Sequence, residues 1–192
     1  MSKSRLEAFS DGVLAIIITI MVLELHVPHG RDIGALRPLL PVLLTYLLSF
    51  VYIGIYWNNH HHLIHTVARV DGLILWANSH LLFWLSIVPA ATAWLGDNFP
   101  APIPTALYGA TLLMPAIAYY LLQLAIIHKQ GRHSMLAHAL GSDIKGKISP
   151  FVYLAGTALA FVQPWASMTL YALVAIMWLV PDRRIEKAMR EG

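Results

Sequence analysis

Six apolar stretches, each close to the ~20 residues that a helix needs to cross a bilayer, dominate this sequence. They run near 9–27, 36–59, 72–95, 103–127, 148–163 and 165–181. Turn-forming or charged segments separate them: Pro28-His29-Gly30, His60 to Asp71, Gly96-Asp97-Asn98 with prolines after it, His128 to Lys147, and Gln163-Pro164. The last two stretches read as a tight hairpin with Pro164 between them. Of the 192 residues 58% are hydrophobic and 12% charged, against roughly 25% charged in soluble domains. A water-facing surface built from such a chain would be one large apolar patch. A disordered chain is excluded too, because disorder requires a polar, highly charged composition. The expected fold is an all-α membrane protein, one domain over 1–192 with six transmembrane helices. With no cysteine in the sequence, disulfides and thiolate metal sites are ruled out. The first stretch lacks a small-residue cleavage site and is read as a span rather than a signal peptide.

The basic residues are unevenly placed. Lys3 and Arg5 precede the first span, Arg69 follows the second, and Lys129, Arg132, Lys145 and Lys147 follow the fourth. Arg183, Arg184, Lys187 and Arg190 follow the sixth, whereas Arg31 and Arg37 stand alone on the opposite side. By the positive-inside rule both termini are expected in the cytoplasm. This topogenic charge also accounts for the basic balance, so nucleic acid is not an expected partner.

The first span is unusual. Between Asp11 and Glu24 lie twelve uncharged residues, roughly 18 Å of helix against a ~30 Å hydrocarbon core. A lipid-facing helix of this kind would bury a carboxylate in hydrocarbon, and carboxylates within spans usually face protein or water. Ile16, Thr19, Ile20 and Leu23 fall at i, i+3, i+4 and i+7 and share one face. Copies of that face meeting on an axis would stack rings of branched aliphatics with one threonine ring, a constriction able to gate by dewetting. Any membrane helix rich in Ile and Leu also gives this pattern, so spacing leaves both readings open. Glu24, one residue on, is either a cation-concentrating group at a pore mouth or an ordinary interfacial acid.

Arg5-Leu6-Glu7-Ala8-Phe9-Ser10-Asp11 resembles the Arg-x-x-x-Phe-Ser-Asp signature that opens the first helix of the transmembrane protein 175 family of potassium channels. Tyr56-Trp57-x-x-His60-His61 and Leu75-Trp76-x-Asn78 are also similar to segments of that family. The resemblance implies a potassium-selective channel whose first helix lines the pore. It further implies a homotetramer, as in prokaryotic members with one six-helix unit, in the plasma membrane. The family's constriction positions correspond to Ile16, Thr19, Ile20 and Leu23, the face already found from spacing. No Thr-Val-Gly-Tyr-Gly filter occurs, consistent with a pore built from side chains rather than carbonyl rings. The resemblance assigns Arg5, Phe9, Ser10, Asp11, Trp57, His60 and Asn78 to a polar network that holds helix one.

The remaining polar residues have plainer readings. His61 and His65 are one helical turn apart, the spacing of a two-imidazole ligand face. Three adjacent histidines, His60 to His62, cannot all point one way, and no carboxylate box accompanies them. Rim histidines, pH-sensitive as imidazoles are, therefore outrank a metal site. His80 and Gln123 are expected to satisfy helix–helix hydrogen bonds, and Gly156 and Ala160 to allow close packing. The alternative function is a proton-coupled transporter using Asp11, Glu24 or His80, against which no broken helix or inverted repeat is visible. Neither a nucleophile–base pair nor a cofactor motif suggests an enzyme. The expected partners are membrane lipid and monovalent cations, with K+ as the permeant ion and no cofactor.

Overall fold

The structure, a computed structural model, describes residues 2–26, 28, 30, 32–131, 134, 136–137 and 144–179. Among these residues every regular element is helical: α1 (Lys3–Leu23), a 3-10 helix (Ile33–Leu39), α2 (Leu40–His65), α3 (Gly72–Ser86), α4 (Val88–Asn98), α5 (Pro102–Gln130), α6 (Ile144–Leu159) and α7 (Pro164–Leu179). Four segments are long and apolar enough to cross a membrane: Lys3–Leu23, Ile33–His65, Gly72–Asn98 and Pro102–Gln130. α7 is apolar but shorter, and α6 has 16 residues, about 24 Å of helix. All six expected stretches are thus helical, with shifted ends. Val27, His29, Arg31, Arg132, Arg183, Arg184, Lys187 and Arg190, together with Val180 and Pro181 of the last span, lie outside the described residues.

Local chemistry sets the boundaries. Ser2 caps α1, its hydroxyl accepting from the Arg5 N–H at 3.4 Å, and Asp71 caps α3, accepting from the Ile74 N–H at 3.0 Å. Such side chains satisfy N–H groups that have no partner within the helix. Gly131 ends α5 at φ 91°, a backbone region that glycine enters without steric cost.

Two expectations are corrected. The second span was expected to end near 59, but α2 continues to His65, so the histidine run is helical rather than part of a loop. The third span, expected to be continuous, breaks at Ile87 between α3 and α4. Pro89, in the first turn of α4, lacks the N–H that would continue the ladder and crowds the preceding turn. Ile87 keeps helical dihedrals, φ −83° and ψ −20°, within a segment of membrane-crossing length, so the interruption is a kink in one span rather than the paired half-helices of a transporter site. The other described spans have no comparable gap between two helices.

α1 packs against α2, α3 and α4, whereas α5 lies against α3, α4, α6 and α7. One core cluster joins Leu6, Leu14, Ile17 and Met21 of α1 to Ile53, Leu63, Leu81, Leu85 and Leu122. A second is built on buried tyrosines, Tyr52, Tyr108, Tyr153 and Tyr171, with Leu95, Leu112 and Val174. Lipid offers helices little hydrophobic drive to associate, so close approach and interhelical hydrogen bonds hold them instead. Ser49 Oγ lies 2.7 Å from Thr92 Oγ1 and 2.8 Å from Tyr108 Oη, joining three helices. Gly156 lets α6 approach α7 so closely that a Cβ there would sit 2.5 Å from Tyr171 Cε1, and Ala160 beside it is fully buried.

Candidate functional site

α1 has two apolar faces. Leu14, Ile17 and Met21 are each 2% exposed and pack into the helix bundle, while Ile16, Ile20 and Leu23 are 60%, 42% and 75% exposed. At 100° per residue the two sets centre roughly 130° apart around the helix. Thr19 shares the outer face and donates its hydroxyl proton to the Ala15 carbonyl at 2.9 Å. With the proton so committed, the lone pairs of Oγ1 are what the side chain can offer a ligand. Asp11 and Glu24 flank this face and both are exposed. Glu24 is the C-cap of α1, its N–H bonded to Ile20 O at 3.3 Å.

Near the opposite end of α1 the polar residues form two separate contacts. Ser10 donates to Leu6 O at 2.9 Å and accepts from Asn78 Nδ2 at 3.0 Å, and Asn78 Oδ1 lies 2.6 Å from His60 Nε2. Ser10, Asn78 and His60 are all buried, so this run of hydrogen bonds ties α1, α3 and α2 together inside the bundle. Apart from it, the Trp57 indole donates to Asp11 Oδ1 at 3.0 Å. Arg5 and Phe9 lie outside both contacts and are exposed.

His80 accepts from Trp84 Nε1 at 2.9 Å. The bond stays within α3, which corrects the expected helix–helix contact: the two residues are one turn apart and share a face. Gln123 is buried and lines a cavity with Tyr52, Tyr56, Asn59 and Tyr119. The histidine run splits as its spacing required, with His60 turned inward and His61 and His65 outward. A carboxylate does accompany the outer pair: Glu7 of α1 reaches both. Sequence inspection missed it because Glu7 is more than fifty positions away, and only the packing of α1 on α2 brings it near.

The family profile described as "Endosomal/lysosomal potassium channel TMEM175" matches residues 5–89, from the start of α1 into α4. A protein named as a potassium channel from Chryseobacterium sp. (strain P1-3) is 56% identical over 192 residues, covering 100% of both chains. The chain belongs to the TMEM175 family. Another family member, named as a potassium channel from Chamaesiphon minutus, is 32% identical over 188 residues, 90% of this chain and 91% of that one. The crystal structure of a lysosomal potassium-selective channel TMEM175 homolog from the same organism superposes with a TM-score of 0.83 at 31% identity. That superposition covers 94% of this chain and 97% of the other. The chicken endosomal/lysosomal proton channel TMEM175 is 37% identical over 103 residues, which is 47% of this chain and 21% of that protein. As a TMEM175 member with several membrane-length apolar helices, the chain is a multi-pass membrane protein of an ion-channel family.

Proposed function

We propose that this protein is a potassium-selective channel in which one six-span unit, residues 1–192, assembles as a homotetramer around a pore lined by α1. The observation that carries the reading is the second apolar face of α1, with Ile16, Ile20 and Leu23 exposed on a side distinct from the buried face and carboxylates at both ends. Lipid is a poor neighbour for a helix whose uncharged stretch is ~12 Å shorter than the hydrocarbon core. Four such faces meeting on an axis would cover themselves and leave a narrow passage. Relatives covering the whole chain, or nearly all of it, are named as potassium channels.

The chemistry follows from the side chains. An aliphatic constriction offers no substitute for hydration water, so an ion passes only by shedding part of its shell. K+ gives up water more readily than the smaller Na+, and such a barrier therefore favours K+. Thr19 Oγ1 lone pairs would compensate part of the lost hydration at one level. Glu24 would raise the local cation concentration at one mouth. By the positive-inside rule, Lys3, Arg5 and the other basic residues on the same side support a prokaryotic plasma-membrane protein with both termini in the cytoplasm.

The purified protein in liposomes should pass K+ passively, with K+ preferred over Na+ in the reversal potential, and should run in detergent at four times the subunit mass. Flux that requires a proton gradient and saturates as a carrier's does would overturn the channel reading. A dimeric mass would overturn the assembly.

A further inference from the structure

Glu7, His61 and His65 converge at the end of α1 where it meets the last turn of α2. His61 and His65 are one turn apart, their ring centroids 4.4 Å from each other. Glu7 Oε1 lies 3.4 Å from His61 Nδ1 and 3.5 Å from His65 Nε2, and all three candidate ligand atoms fall within 4.8 Å of one another. We propose that these three side chains form a binding site for a divalent transition-metal ion of the zinc class, bridging α1 to α2.

Distances favour a metal over direct hydrogen bonds. A carboxylate accepting from imidazole N–H groups sits at about 2.7–3.0 Å. Two ligands on a tetrahedral ion with bonds near ~2.1 Å stand about 3.4 Å apart. Glu7 Oε1 is itself buried and has no hydrogen-bond partner among the described residues, an arrangement that costs stability unless a cation satisfies the oxygen. The nearby ammonium of Lys3 is committed elsewhere, donating to His65 O at 2.7 Å. Two imidazoles with one carboxylate suit Zn2+, leaving a fourth position for water. Both histidines are 46% exposed, so an ion can reach them from solvent. Trp57 lies beside His61, with ring centroids 6.5 Å apart and planes inclined by 29°.

The proposal stands apart from the pore reading, since binding is measured without conduction. The test is a calorimetric titration of ZnCl2 into the full chain in detergent, carrying no histidine tag, beside Glu7→Gln, His65→Gln and His26→Gln. We expect one Zn2+ per subunit in the unaltered protein and in His26→Gln. Affinity should fall at least tenfold in Glu7→Gln and in His65→Gln. Co2+ should give the visible absorption of a tetrahedral nitrogen–oxygen site, lost in both ligand variants. His65 is half-exposed, so His65→Gln keeps the test valid if Glu7→Gln fails to fold. No Zn2+ binding up to millimolar, or equal binding and an unchanged Co2+ spectrum in His65→Gln, would overturn the site.

Discussion

Asn78 Oδ1 lies 2.6 Å from His60 Nε2, and this contact fixes the proton position on a buried imidazole. Leu6 O can only accept, so Ser10 donates to it, and Ser10 Oγ then accepts from the Asn78 amide. Asn78 must therefore present its oxygen to His60, and Nε2 must carry the hydrogen. One asparagine thus orders the hydrogen bonds of three helices in a single direction.

Replacing Asn78 by Leu removes both bonds and leaves His60 and Ser10 buried without their partner. The expected cost is about 1–3 kcal/mol, chiefly from His60, because Ser10 keeps its bond to Leu6 O. Thermal unfolding in detergent should show a clearly lower midpoint for Asn78→Leu than for an exposed control such as Ser79→Ala. An unchanged midpoint would mean that the chain does not hold α1.

Ile20→Ser and Leu23→Ser place a hydroxyl on the outer face of α1. If that face lines the pore, single-channel conductance should rise and the preference for K+ over Na+ should fall. Unchanged conductance and selectivity in both variants would remove α1 from the permeation path.

Thr19→Val keeps the volume of the side chain and deletes the oxygen whose proton is already given to Ala15 O. Currents should persist while the K+ over Na+ permeability ratio, read from bi-ionic reversal potentials, declines. A ratio equal to that of the unaltered channel would assign selectivity to the aliphatic levels.

Gly156→Ala forces a Cβ to within 2.5 Å of Tyr171 Cε1, in a ring that is buried and hydrogen-bonded. Overpacking of this kind costs about 1–3 kcal/mol. The midpoint of unfolding in detergent should drop accordingly, whereas Gly54→Ala, with nothing within 4 Å of its Cβ, should leave the packing unchanged.

Asp71 lies before α3, outside the spans. The Ile74 N–H and then the Lys129 ammonium at 3.1 Å hold its carboxyl below the usual carboxylate range. A depressed folded pKa stabilises above the unfolded value, near ~3.9, and the contribution is lost as pH falls through the folded one. Asp71→Asn retains a capping oxygen but loses the charge. Its midpoint should lie below that of the unaltered protein at pH 7, and the difference should shrink as the solution is acidified below about pH 4.

Much of this protein is legible in one dimension because a bilayer imposes length and polarity on each span independently. Six apolar stretches of bilayer length, a signature from Arg5 to Asp11, and the face shared by Ile16, Thr19, Ile20 and Leu23 all follow from local spacing. Helices cover all six stretches, four of them in segments of membrane-crossing length, and Ile16, Ile20 and Leu23 are exposed. What spacing could not show is which residues from different helices meet. Ser10 and Asn78 are 68 positions apart, and Glu7 lies far from His61 and His65. The break at Ile87 was hidden because a proline in an apolar run is compatible with either a kinked helix or two helices. Periodicity gives each helix its faces, but contact between faces depends on how the helices cross. That crossing is set by small residues such as Gly156 and by buried hydrogen bonds, whose partners only the packed chain brings together.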